Sequence, residues 1–176
     1  MTSFIINAQV SQAVPELWRQ DRECAFCQII YRAAHAYRIY EDNLLIAFLD
    51  ILPLRPGHTL IVPKIHCSRV SELPPEYAAA LGKAISRISK ALTKAVDNTA
   101  LNVVCNQEYA QVVPHVHYHI VPAPRLTSLP AGLGSGDLNQ ETALTAGDMH
   151  RKEYELRDDL DEDDAHALVE RIKAHL

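Results

Sequence analysis

The chain has 176 residues, enough for one domain with a substantial core and hardly enough for two. Hydrophobic residues make up 48% and charged residues 22%, the balance of an ordinary globular protein. A net charge of -5 argues against a broad basic surface for nucleic-acid backbone, although a few local donors still suffice to bind a small phosphate ligand.

Residues 1–22 read as an N-terminal arm, with Phe4, Ile5, Ile6 and Trp18 available to pack on the domain. The arm has no basic start and no long apolar stretch, so no secretion signal is expected. No segment approaches the roughly 18 apolar residues of a membrane span. The expected address is the cytoplasm or nucleus, with neither membrane nor nucleic acid as partner. In such a compartment the four cysteines are read as thiols or metal ligands rather than a disulfide framework.

Residues 23–124 read as one α+β domain. Segments 38–40 and 44–48 look like strands around a turn at Glu41-Asp42-Asn43. Segment 58–62 is a further strand, entered through Arg55-Pro56-Gly57 and stopped by Pro63. Pro74-Pro75 opens a long helix whose apolar stripe is Leu81, Ile85, Ile88, Leu92 and Val96. Strands follow at 101–105, expected to be buried, and at 115–121. Strands on both sides of one helix predict an antiparallel sheet with the helix across a face.

Residues 125–176 read as a linker and a C-terminal amphipathic helix. Segment 125–147 has no period. A helix is expected from about Asp161, with Ala165, Leu168, Val169, Ile172 and Leu176 on one face, which should pack on this domain or on a second copy. Asp159, Asp161, Asp163 and Glu170 have the spacing of a calcium loop, but the turn position that needs glycine is Asp164. A helix start explains those charges better.

The informative segment is His115-Val116-His117-Tyr118-His119-Ile120-Val121-Pro122. In a strand, alternate side chains share a face, so the histidines stand in a row about 6.6 Å apart. Val116, Tyr118 and Ile120 then face the core. Neutral imidazole is a good nucleophile near pH 7 and needs no separate base. Attack on phosphorus gives a phospho-histidine-type intermediate, and neighbouring donors must neutralise the phosphoryl oxygens.

This pattern resembles the signature of the histidine triad (HIT) superfamily, and in particular its Hint-like branch. The resemblance extends over about a hundred residues, through 47–53 and 56–64 to Asn106 and Gln111. It implies the HIT-type α+β fold and a hydrolase acting at the α-phosphate of a nucleotide. His117 would be the nucleophile, with His119 and His58 on the phosphate and Asn106 and Gln111 as further donors. Asp50 would bind the ribose, and Phe26, Phe48 and Ile51 would flank a purine, although such residues also fill cores. Family transferases carry glutamine at the third triad position, so His119 favours transfer to water. One departure is Val112, where the Hint branch often has serine near the leaving group; no hydroxyl donates a proton from this position.

Cys24-Ala25-Phe26-Cys27 taken alone is a redox pair, half of a zinc site, or chance, and the βαβ setting of a thioredoxin-like site is missing. Resemblance to zinc-bearing relatives supplies His66 and His115, giving a closed structural Cys₂His₂ site. Cys67 and Cys105 are expected to be small buried fillers. The resemblance implies a purine nucleoside phosphoramidate hydrolase working as a homodimer joined through the long helix and central strands. The alternatives are a dinucleoside polyphosphate hydrolase and a nucleotide-binding scaffold with residual catalysis. A DNA-repair relative of the aprataxin kind is set aside, because no cysteine follows Cys105 to build its zinc finger.

Overall fold

A computed structural model describes residues 21–123 and 159–176, so most of the N-terminal arm and the 125–147 segment lie outside the described residues. The order is α1 (Ala25–Ile30), β1 (Arg38–Glu41), β2 (Leu45–Leu49), β3 (Thr59–Pro63), α2 (Pro75–Ala95), β4 (Leu101–Cys105), β5 (Tyr118–Pro122) and α3 (Glu162–Lys173). The strands form one antiparallel sheet in the order β1-β2-β3-β5-β4. This is the expected α+β architecture, with a helix across the sheet.

Every residue of β2 and β3 is buried, because both faces of the sheet are covered. Leu45, Ala47, Leu49 and Ile61 point to one side, where Leu81, Ile88 and Leu92 of α2 pack with Ile172 of α3. Ile46, Phe48, Leu60 and Val62 point to the other, against Cys24, Phe26 and Cys27 at α1. The period of 2 along each strand thus divides one continuous apolar run between two cores.

α3 buries Ala165, Leu168, Val169 and Ile172 in the same core as α2, so the amphipathic tail packs on its own domain. An isolated helix of 12 residues is marginal in water, whereas fully burying an aliphatic side chain gains about 1.5–3 kcal/mol. Burial decides that this helix forms. The Asp161 carboxylate caps it by accepting from the Asp163 and Asp164 N–H groups. The acidic run is therefore a helix start.

Two expectations about strands are corrected. β4 was expected to be buried, but it is the sheet edge, and Asn102, Val103 and Val104 are exposed. Strand structure was expected from His115, but β5 begins at Tyr118. Pro63 lacks an N–H to extend the ladder from β3, and the His115 ring takes its carbonyl instead at 2.8 Å. The chain there pairs elsewhere, with the Val116 N–H on the Cys67 carbonyl at 2.7 Å.

Gly57 sets the entry to β3. Its φ is +93°, and a Cβ there would lie 3.1 Å from side-chain atoms of Leu92, Val96 and Pro122. Gly57→Ala should therefore lower stability by about 1–3 kcal/mol, read as a fall in melting temperature. An unchanged melting temperature would refute the steric account.

Candidate active site and metal centre

The side chains of Val116, Tyr118 and Ile120 belong to the α2 side of the sheet, as the alternation requires. His119 sits opposite Leu60 of β3, on the α1 side. The His117 and His119 rings are 4.8 Å apart, and His117 also lies 5.0 Å from the Phe26 ring, edge to face. His117 and His119 thus stand side by side, as the alternation requires, whereas His115 and His117 precede the strand and the His115 ring meets Cys24, Cys27 and His66.

His117 is buried, with Nδ1 2.7 Å from the His115 carbonyl oxygen. Burial lowers its pKa, which favours the neutral ring. His58, at the entry to β3, is also buried, and its Nε2 is 2.9 Å from His119 Nδ1. On the far side of the His58 ring, Nδ1 accepts the Leu54 N–H at 3.2 Å and lies 3.4 Å from Asp50 Oδ2. Asp50, His58 and His119 are close enough to suggest a cation site. His58, however, meets Asp50 and His119 through opposite ring nitrogens, which is the geometry of a relay rather than a chelate.

Cys24, Cys27, His66 and His115 converge from α1, the segment after β3 and the segment before β5. Their ligand atoms all lie within 4.8 Å of one another. Cys24 Sγ is 3.5 Å from His115 Nδ1, and Cys27 Sγ is 3.3 Å from His66 Nδ1 and 3.7 Å from His115 Nδ1. Sulfur and nitrogen ligands on one tetrahedral zinc sit about 3.6 Å apart, from Zn–S and Zn–N bond lengths of roughly 2.3 and 2.05 Å. The Pro63 carbonyl on His115 Nε2 holds the ring proton there and leaves Nδ1 as the lone-pair atom facing the cluster. Burial pushes the Cys27 thiol up to about 12 and His115 down to about 4, each toward its neutral form. A divalent cation would reverse the thiol's preference. The four residues fit zinc.

The remaining predicted residues fall in different places. Phe26 and Phe48 are buried and pack edge to face at 5.8 Å, whereas Ile51 is 61% exposed on the loop after β2. The Asn106 amide donates to the Ala110 carbonyl at 3.3 Å. Gln111 donates to the carbonyls of Ser68 and His115 and accepts the Glu108 N–H. Both amides thus brace the loop between β4 and β5. Val112 on that loop is 91% exposed. Cys67 is the buried filler expected, while Cys105 is half-buried.

The sequence matches the HIT domain family model over residues 32–126. The chain belongs to the HIT family. The match includes the triad, His58, His66 and Asp50, but α1 and its cysteines precede it and α3 follows it. Among Hint-like relatives, adenylylsulfatase HINT3 of Arabidopsis thaliana is 38% identical over 102 residues, covering 57% of this chain and 52% of the plant protein. The chain thus spans about half the length of that relative. Adenosine 5'-monophosphoramidase hnt1 of Schizosaccharomyces pombe is 37% identical over 115 residues, covering 64% of this chain and 81% of the yeast protein. Both of these HIT relatives carry the names of hydrolases. A zinc-bound histidine triad family protein from Mycobacterium smegmatis superposes with a TM-score of 0.63 at 29% identity, covering 86% of this chain and 94% of that one. Among the described residues, no helix is long and apolar enough to cross a membrane.

Proposed function

We propose that this HIT protein hydrolyses a purine nucleoside phosphoramidate at its α-phosphate, with His117 Nε2 as the nucleophile. The observation that carries this is the 2.7 Å contact of His117 Nδ1 with the His115 carbonyl. A carbonyl oxygen only accepts, so the ring proton stays on Nδ1 and Nε2 keeps its lone pair. In the first step the Nε2–P bond forms, the P–N bond breaks, and the departing amine takes a proton. Water then attacks phosphorus, the Nε2–P bond breaks, and the water's proton passes to the group that gave one up.

His119 is the proposed proton donor. The Leu54 N–H on His58 Nδ1 leaves the His58 proton on Nε2, which faces His119 Nδ1 at 2.9 Å. His119 then carries its own proton on Nε2. The Asp50 carboxylate, 3.4 Å from His58 Nδ1, favours one further proton on the pair, so that the cationic pair gives one proton to the amine, becomes neutral, and regains it from the attacking water. Asp50 would also accept from the ribose, and Ile51 offers the base an exposed apolar side chain. Cys24, Cys27, His66 and His115 would hold a structural zinc that fixes α1 and the segment carrying the triad. All four positions of that site would be filled by protein, leaving none for substrate. The catalytic domain in this account is 23–124. A homodimer would pair through the long helix α2 and the exposed edge of β4, and sedimentation at two chain masses would support it.

A second substrate, adenylyl sulfate, is favoured by Val112 and by the adenylylsulfatase relative. Sulfate leaves as a stable anion and needs no proton, whereas an amine does. Rates on adenosine 5'-monophosphoramidate, adenylyl sulfate and diadenosine polyphosphates separate the two substrates. The phosphoramidate should give the highest kcat/KM. A clear preference for adenylyl sulfate would replace it, and hydrolysis of none would leave a nucleotide-binding scaffold.

A further inference from the structure

We infer that the C-terminal helix positions the nucleoside-binding loop, through the Leu160 N–H on the Ile51 carbonyl. The inference rests on the nucleotide reading of the site. Residues 50–57 form the loop that carries Asp50 and Ile51 into the site and returns to His58. Much of its bonding is internal. The Asp50 N–H meets the His58 carbonyl at 2.9 Å, and the His58 N–H meets the Arg55 carbonyl at 3.0 Å. Leu52 N–H binds Asp50 Oδ1 at 2.9 Å, and Leu54 N–H binds His58 Nδ1. At the far end, Arg55 reaches the Pro122 carbonyl at 3.4 Å. These bonds close the loop on itself and tie its return limb to the sheet.

Its outward limb has little side-chain anchorage, since Ile51 is 61% and Leu52 44% exposed. There the Ile51 carbonyl accepts the Leu160 N–H at 2.9 Å. Leu160 immediately precedes Asp161, the cap of α3, and α3 is fixed by four buried side chains. The same helix places His166 5.4 Å from the Tyr37 ring, edge to face. The Tyr37 carbonyl in turn accepts the Leu49 N–H at 3.0 Å. α3 and the residue that leads into its cap therefore touch the chain on both sides of Asp50, His166 at Tyr37 before it and Leu160 at Ile51 after it. Further along, Leu168 and Arg171 border the same cavity as Arg55 and Pro56. The helix lies outside the matched family segment, yet it backs the loop that would receive the nucleoside.

A clasp that only adds stability would leave nucleotide affinity untouched. A positioning element must appear in it, and coupling between two sites is reciprocal. The test uses the full chain. Leu160→Pro removes the N–H, and Leu160→Ala keeps it while giving up the leucine side chain that packs on the core. Loss of one hydrogen bond predicts KM and the AMP dissociation constant about fivefold higher in Leu160→Pro than in Leu160→Ala, with kcat within about twofold. Equal KM values in the two variants, or a loss confined to kcat, would overturn the inference. A measurement on the unmodified protein covers the case in which the proline variant does not fold. AMP should slow hydrogen exchange at the Leu160 amide. AMP that binds but leaves that amide unchanged would overturn the positioning role alone. Failure of AMP to bind the wild-type chain would overturn the nucleotide reading, and this inference with it.

Discussion

His117→Ala is expected to lower turnover at least about 10³-fold while AMP affinity stays within a few-fold. The asymmetry follows from what the ring would do. Its Nε2 forms a bond during the reaction, whereas ground-state binding is spread over the ribose, base and phosphate contacts. The ring is buried against Phe26, so the alanine variant also leaves a cavity, and melting temperature must be checked beside activity. His117→Gln fills more of that space without supplying an imidazole, and it should lose activity to a similar extent. A folded His117→Ala protein that kept a tenth of wild-type turnover would remove His117 from the mechanism.

The second large effect concerns the metal. Protein purified without chelators should contain about one zinc per chain by elemental analysis. Cys24→Ser should lose most of that zinc and melt well below wild type, because metal bound only by the folded state contributes its binding energy to stability. The link to catalysis runs through one residue. The His115 ring would bind zinc through Nδ1, while its main-chain carbonyl holds His117 Nδ1 at 2.7 Å. Loss of metal should therefore reach the nucleophile's orientation as well as the fold. Metal-free wild-type protein with unchanged melting temperature would contradict the assignment.

Much of the fold could be read directly from residue spacing. The run Leu45–Leu49 is apolar throughout, and alternation assigns Leu45, Ala47 and Leu49 to one core and Ile46 and Phe48 to the other. The long helix and the tail helix declared themselves by period, and the triad by its alternating histidines. Other features depend on tertiary placement. β4 looks as apolar as an inner strand, and only the strand order makes it an edge. α1 has six residues, too few for a period, and Cys24 at its cap offers no side-chain capping bond. The C-x-x-C was visible, but not the helix that turns both thiols toward His66 and His115. Asn106 and Gln111 were recognisable as amides near the site, while their partners on Ala110, Ser68 and His115 follow from how the loop closes. No local signal joins Leu160 to Ile51, which lie more than a hundred residues apart in sequence.

A covalent nucleotidyl-His117 intermediate would leave its record in the stereochemistry at phosphorus. Each in-line displacement inverts phosphorus, so attack by His117 followed by attack by water gives two inversions. A substrate made chiral at the α-phosphorus with sulfur, hydrolysed in isotopically labelled water, records the sum whether or not the intermediate accumulates. Net retention of configuration is expected. Net inversion would mean that water attacks the nucleotide directly, and would contradict the assignment of His117 as nucleophile.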